Sequence, residues 1–461
     1  MTDQTAGTGA PFLPGSTVGT ASTPEASTKL TADTLVTVDG TPLRKALALS
    51  QRRAKWRAFV LVAPLLLFII ITFVVPIGQM LYVSAHNDSF AAHMPSLSKW
   101  FAQNPNASGV PEDEAAWAAI HSDLVQARKD RNQGKIGTRV NYDLSGSRSL
   151  FTKSARRAAR LKAPFKEAFA KLDKRWSQPE LWGVMRRASS AYTTSFYLKS
   201  LDLKQTPDGE IVRADERQRI YVDLYWRTVW ISALITVLTL FLAFPIAHML
   251  ATLPLRYSNL LMIMVLLPFW TSLLVRTTAW IALLQGQGVI NDAFVAMGLI
   301  GPDGVLTPTL TDWGMADSQG RMPLMYNQAG TIIAMTHILL PFMVLPLYSV
   351  MKTIPPSYVR AARSLGASQW TAFWKVYFPQ TVPGIGAGVL LVFILALGYY
   401  ITPALVGGAQ GTLISNIIAE AMGPWNNWSL GAALGAILLA GVLVVYWLYD
   451  RIVGIDNMKF G

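Results

Sequence analysis

Few residues of this chain are placed to do covalent chemistry. It contains no cysteine, and its five histidines show no HExxH or other ligand spacing, which excludes a disulfide framework and a cysteine-based zinc site. No GxxxxGK[ST] loop is present to cradle nucleotide phosphates, and no nucleophile is paired with a base. The chemistry that remains is docking. It is concentrated in residues 355–384, PPSYVRAARSLGASQWTAFWKVYFPQTVPG, where Arg360, Arg363 and Lys375 stand without a single acid between two long apolar stretches.

This stretch reads as two short helices about a glycine. Pro355 and Pro356 end the preceding apolar run, and Ser357 is placed to cap a helix over 358–365. Gly366 supplies the backbone freedom needed where that helix stops. Ser368 is placed to cap a second helix, 369–378, which Pro379 is expected to close. Trp370, Phe373, Trp374 and Tyr377 recur at three- and four-residue steps on one face. Ala361 and Ala362 give the first helix a smooth surface that lets another protein's groove come close. The same periodicity also fits an interfacial connector with its aromatics at headgroup level.

The elements around this stretch are apolar. With 52% hydrophobic and 15% charged residues in 461, the composition is that of an all-α integral membrane protein. Six segments, near 58–84, 224–250, 259–284, 328–350, 385–406 and 429–449, are long enough to cross a hydrocarbon layer about 30 Å thick. Arg44, Lys45, Arg52, Arg53, Lys55 and Arg57 before the first span put the N-terminus in the cytoplasm, and six crossings return the C-terminus there. The 285–327 loop, with Asp292, Asp303, Asp312 and Asp317 against Arg321, then lies outside. A cleaved secretory signal is the other reading of the first span, but its apolar part is long and no AxA-like site ends it. Residues 1–50 read as a disordered cytoplasmic tail, 51–84 as the first span, 223–452 as the helical core with its loop 351–384, and 453–461 as a cytoplasmic tail.

Residues 85–222 form a large external insert between the first two spans. From His86 to Ile220 it carries 23 Lys plus Arg against 15 Asp plus Glu. Loops beyond about 60 residues escape the positive-inside rule, so this charge does not overturn the topology. Leu161, Phe165, Ala168, Leu172 and Trp176 recur at helical spacing among lysines, as in a basic helix packing its stripe on a small subdomain or meeting lipid headgroups. No nucleic-acid recognition motif accompanies the basic residues. Asn87-Asp88-Ser89 and Asn106-Ala107-Ser108 match the glycosylation pattern, which matters only in a secretory pathway that glycosylates.

The 355–384 stretch resembles the EAA loop of ABC importer permeases. That loop has Glu-Ala-Ala, a glycine four residues after the second alanine, and a hydrophobic-x-hydrophobic-Pro ending. This chain has Arg360-Ala361-Ala362, Gly366 and Val376-Tyr377-Phe378-Pro379 at the same spacing, departing only at Arg360. The resemblance implies a type I ABC permease fold and assigns Arg360, Ala361, Ala362, Arg363, Leu365, Gly366, Ala367 and Pro379 to a coupling element seated in a cleft of an ATP-binding subunit. PFWTSLLVRT at 268–277 and YITPALVGG at 400–408 further resemble the first permease of spermidine/putrescine importers. This implies two ATP-binding subunits that carry the ATP and Mg, a second homologous permease, a periplasmic substrate-binding protein and an inner-membrane location. No cofactor is expected on this chain.

Arg276 is the one ionisable residue well inside an expected span, and such a charge normally faces protein or a water-filled path. No Asp or Glu lies in the core of any span, so a polycation would meet aromatic faces and carbonyls instead. Trp270, Arg276, Tyr399, Tyr400 and Thr402 are the candidate path residues. Helix packing is an equal role for the aromatics, and pairing with carbonyls or a partner for Arg276. Ser415, Asn416 and Glu420 fall in the last external loop, where orienting a docking protein is one reading and simply facing solvent is the expected one. A permease for another small solute, such as an amino acid, an ion-coupled transporter and a membrane scaffold are the competing functions. The absence of an embedded acid pair weighs against ion coupling.

Overall fold

The computed structural model describes residues 43–453 except 106, 108, 207 and 208. The expected tails beyond them and the Asn106–Ser108 motif therefore lie outside the described residues. Two compact units divide at Pro76 and Ile77. Among the described residues, six helices are long and apolar enough to cross a membrane.

Helix α1 (Leu43–Ile69) starts within the stretch assigned to the tail by composition. A wide π turn, Ile70–Val74, follows it, and α2 (Val75–Ala85) comes next in the chain. The Val75 N–H reaches back to the Ile70 carbonyl, and Pro76 comes next. Proline lacks an N–H and crowds the carbonyl four residues before it, so one inserted residue relieves both problems.

The insert folds as α3 (Pro95–Gln103), α4 (Glu114–Lys129), α5 (Gln133–Asn141), α6 (Ser147–Ala158), α7 (Phe165–Leu172), α8 (Pro179–Ala188) and α9 (Ser195–Ser200), closed by an antiparallel pair, β1 (Leu203–Gln205) and β2 (Ile211–Arg213). Its core holds Trp117, Trp176 and Trp182 with Phe90, Phe151 and Phe169, all buried. The stripe expected on one helix is broken. Pro164 precedes α7, and Asp173 stops it by turning its carboxylate onto the Arg175 N–H, so Leu161 and Trp176 pack from flanking turns. Phe169 and Trp176 nevertheless point into the subdomain, as the packing alternative expects.

The insert is tied to the bundle. Asp202, in the left-handed region at φ 58°, accepts from the Ile220, Tyr221 and Val222 N–H groups and so caps α10 (Tyr221–Thr252). Tyr142 donates to the Asn426 carbonyl at 2.9 Å, and Asn87 to Ser429 at 3.1 Å.

The bundle continues through α11 (Leu255–Trp270), α12 (Leu273–Leu284), α13 (Val289–Ala296), α14 (Thr307–Asp312), α15 (Gln328–Thr353), α16 (Pro356–Ser364), α17 (Gln369–Ala372), α18 (Phe378–Gly398), α19 (Ile401–Val406), α20 (Ile414–Met422) and α21 (Trp428–Val453). Helices α10, α15 and α18 form its centre, burying Ile231, Ile235, Met335, Met343, Leu347 and Val392. Gly384 and Gly388, one turn apart, let α18 approach α15 closely. A Cβ on Gly384 would stand 3.0 Å from Val350 Cβ, and one on Gly388 2.6 Å from Met343 Sδ. The Thr228, Thr236 and Thr239 hydroxyls donate to carbonyls within α10, which leaves few polar demands on its surroundings.

Two expected spans differ in the structure. The one placed at 259–284 is interrupted at Thr271–Ser272. Pro268 weakens the end of α11, and Ser272 Oγ accepts from the Val275 N–H to start α12 afresh. The apolar helix is thereby displaced to Leu273–Ala296. The span placed at 385–406 belongs instead to a helical run over Gln369–Gly398, which stops before Tyr399 and Tyr400 and leaves α19 separate.

Candidate functional site

The glycine turn of 355–384 forms as its residues dictate. Gly366 has φ 88°, its N–H donates to the Arg363 carbonyl, and the Ala367 N–H reaches the Ala362 carbonyl at 3.1 Å. This crossed pair of bonds is the Schellman ending, which favours glycine because a side chain is strained at positive φ. Ser368 Oγ accepts from the Thr371 N–H at 3.2 Å and opens the next helix.

Two expectations here are corrected. Ser357 is not the cap of the first helix: α16 begins one residue earlier, with Pro355 at the cap position and Pro356 inside the first turn. Proline suits that turn because the N–H it lacks would have no intrahelical partner there. Nor does Pro379 close the second helix. A π turn, Phe373–Tyr377, carries α17 directly into α18, and Pro379 sits in the first turn of α18. Gln380 Nε2 donates to the Val376 carbonyl at 2.6 Å, which satisfies one carbonyl in the widened turn.

The side chains divide into two sets. Val359 packs on the bundle core with Phe373 and Tyr377. Arg360, Ala361, Arg363, Leu365 and Gly366 are exposed, Leu365 at 89%. Ala362 and Ala367 are half-buried, and Pro379 is exposed. The four aromatics expected on one face form two rows: Trp370 and Trp374 are exposed, whereas Phe373 is partly and Tyr377 almost wholly buried. The exposed set is thus cationic and apolar, without an acid, on a helix pair held rigidly to α10 and α18.

The broken helices meet one another. Thr277 on α12 and Thr402 on α19 bring their hydroxyls within 3.5 Å, both buried. Arg276, in the first turn of α12, is half-buried, and its Nε is buried with no acceptor among the described residues. Trp280 Nε1 donates to His337 Nδ1 at 3.2 Å, which ties α12 to α15. Tyr399, which is extended, and Tyr400 form the non-helical link before α19. Arg276, Tyr399, Tyr400 and Thr402 thus sit on the two broken segments that pack together, whereas Trp270 stands 71% exposed at the end of α11.

Ser415 and Asn416, expected to face solvent, are buried at 6% and 5% exposure. Ser415 Oγ donates to the Tyr399 carbonyl and Asn416 Nδ2 to the Tyr400 carbonyl, each at 2.7 Å. Asn416 Oδ1 also accepts from the Leu413 N–H. Irregular backbone in a bundle needs such partners, because no water is at hand to supply them. Asn416 lies three residues after Leu413, the offset of a capping box, and that offset is the signal available in the sequence. Glu420 is exposed, as expected.

Residues 226–453 match the family described as binding-protein-dependent transport system inner membrane component. The chain is 30% identical over 236 residues to the spermidine/putrescine transport system permease protein PotB of Haemophilus influenzae, covering 50% of this chain and 76% of that one. Against PotB of Escherichia coli the identity is 33% over 236 residues, with 50% and 79% covered.

The chain belongs to this family of binding-protein-dependent inner-membrane components.

It is the permease of an ABC importer and a multi-pass inner-membrane protein. Escherichia coli YdcU, an inner membrane ABC transporter permease protein, is 33% identical to it over 216 residues, covering 46% of this chain and 65% of that one. Among solved structures, a chain of a bacterial alginate ABC transporter in complex with its alginate pentasaccharide-bound periplasmic protein aligns with a TM-score of 0.43. It shows 15% identity and covers 53% of this chain and 81% of that one. The insert at 85–222 lies outside the family match.

Proposed function

We propose that this permease moves polyamines, spermidine or putrescine, inward across the inner membrane. The observation that carries the substrate class is its identity of 30% and 33% to two spermidine/putrescine permeases over the half of the chain that contains both broken helices. Aromatic faces recognise a polyamine without acids, and Tyr399 and Tyr400 supply them at the break.

Both termini then lie in the cytoplasm and the 85–222 insert lies outside, where a periplasmic binding protein delivers substrate. Six spans form half of a pathway, and a second homologous permease completes it. Two ATP-binding subunits, carrying ATP and Mg, receive the exposed Arg360, Ala361, Arg363, Leu365 and Gly366 with the half-buried Ala362 and Ala367, while Pro379 shapes the helix behind them. Arg360 stands where the family has an acid, so its counterpart on the ATPase is an acidic group.

A second reading, a carboxylate-bearing solute such as an amino acid, is favoured by one observation: the buried Arg276 Nε without an acceptor. Uptake of labelled spermidine and amino acids into proteoliposomes, with the ATPase, both permeases and the binding protein present, tests the two. Spermidine uptake that needs ATP and persists in Arg276→Gln supports polyamine import. Amino-acid uptake that Arg276→Gln abolishes, with no spermidine uptake, overturns it.

A further inference from the structure

Among the described residues, the insert gathers three cations around one carboxylate. Arg139 on α5 is 1% exposed, its guanidinium lies 5.2 Å from the Phe196 ring centre, and its Nη1 donates to Asp143 Oδ2 at 2.9 Å. Its Nε and Nη2 are buried with no acceptor among the described residues. Arg187 on α8 and Lys199 on α9 stand around the same carboxylate. Arg187 Nη1 donates to the Thr206 carbonyl at 3.0 Å, and Lys199 Nζ to the Tyr142 carbonyl at 2.8 Å. Neither forms an ion pair among the described residues.

Asp143, Arg187 and Lys199 line one cavity of about 660 Å³. Its other charges are Lys204 and Asp215, which neutralise each other at 2.9 Å, and Glu180, which is exposed. The inner wall therefore sets Arg187 and Lys199, neither in an ion pair among the described residues, beside an Asp143 carboxylate already taken by Arg139. Half-buried cations held only by backbone carbonyls are costly unless an anion completes the set. Burial pulls Arg187 and Lys199 below their usual ranges, and the attraction of Asp143 opposes this only in part.

We infer that this cavity binds an oxyanion, a carboxylate or phosphate group, held by Arg187 and Lys199 with Arg139 behind them. Guanidinium and ammonium donors together suit such a group, since the first gives paired N–H bonds and the second a compact charge. The site is separate from the broken helices and repels a polyamine. Its place at the foot of α10, where Tyr221 also lines the cavity, puts the bound anion beside the junction of insert and bundle.

The test uses the full-length permease purified in detergent. Thermal unfolding is followed against inorganic phosphate, succinate and chloride at constant ionic strength, and again in nanodiscs with and without phosphatidylglycerol. Saturable stabilisation by phosphate or succinate, absent with chloride, supports a free small anion. Stabilisation by phosphatidylglycerol alone supports the same chemistry supplied by a headgroup. Arg187→Gln and Lys199→Gln are each expected to weaken the effect about tenfold, as loss of one charge-assisted bond does, while the exposed Arg128→Gln leaves it unchanged. The proposal is overturned if no oxyanion stabilises the wild-type protein beyond chloride, or if the effect survives in folded Arg187→Gln and Lys199→Gln.

Discussion

His248 Nδ1 and the Tyr377 hydroxyl lie 3.1 Å apart, joining the end of α10 to the wide turn that links α17 and α18. Phe373 stacks on Tyr377 with ring centres 5.6 Å apart and meets His248 edge-on at 5.9 Å. The exposed arginines of α16 are thus backed by an aromatic cluster that reaches into the central helices. Tyr377→Phe keeps the ring and removes the bond, so unfolding stability should fall by about 1 kcal/mol. ATP-driven uptake should fall more than the amount of assembled complex, as measured by flux against copurified ATPase. Equal losses of both would reduce the contact to a packing role.

Gly366 has open space where a Cβ would stand, with no atom within 4 Å, so any penalty on substitution comes from its positive φ. Gly366→Ala should cost roughly 1–2 kcal/mol in the local turn, and Gly366→Asn less, because asparagine tolerates the left-handed region. The expected order of ATPase copurification is Gly, Asn, Ala, Val. If Val matches Gly, the turn plays no part in docking.

Asn416 serves two backbone groups at once, the Tyr400 carbonyl and the Leu413 N–H. Asn416→Ala leaves the Leu413 N–H buried without a partner and the Tyr400 carbonyl with the Ala404 N–H alone, and about 1–3 kcal/mol of stability should be lost. Asn416→Asp keeps the acceptor for Leu413 but turns a donor toward Tyr400 into a second acceptor, and should be equally damaging. Melting temperatures in detergent check both. Transport should fail in both variants, since the link they support carries Tyr399 and Tyr400.

The turn at Gly366 and the helix start at Ser368 were legible from local chemistry, since both residues act through neighbours within five residues. Pro379 misled, because the wide turn before it lets a helix run through a proline that local rules make a stop. The breaks at Thr271–Ser272 and Tyr399–Tyr400 were hidden for a different reason. Hydropathy over a span-length window is blind to a two-residue break, and the Tyr399 and Tyr400 carbonyls are met by Ser415 and Asn416, about sixteen residues away. The cation cluster of the insert was equally hidden, because Arg139, Arg187 and Lys199 come from three helices.

Asp173 gives the insert a pH dependence. Its carboxylate takes Arg175 Nε on one oxygen and Nη2 on the other, each at 3.0 Å, with Lys153 at 3.2 Å, and these cations hold it well below the usual carboxylate range. A lowered folded value means that the stabilisation is complete above about pH 4 and is lost as pH falls toward the folded value. Asp173→Asn should be less stable than wild type at neutral pH, and the gap should narrow as the medium is acidified. Melts of both proteins between about pH 3 and pH 7 measure this, and a gap independent of pH would assign the effect to packing.

Gly384 separates close approach from simple helix propensity. Alanine favours a helix over glycine by about 1 kcal/mol, so on propensity alone Gly384→Ala should stabilise α18. Its Cβ, however, would press within 3.0 Å of Val350 Cβ and 3.2 Å of the Pro346 carbonyl, and the latter is backbone that cannot swing aside. Pro346 also leaves α15 without one of its own hydrogen bonds there, so a shift of that carbonyl strains a turn already short of support. The net expectation is a loss of about 1–3 kcal/mol for Gly384→Ala, larger for Gly384→Val. The control is Gly441→Ala on α21, where nothing lies within 4 Å and propensity acts alone. If both substitutions stabilise the protein in thermal melts, α15 and α18 are not held at this distance by the missing side chain.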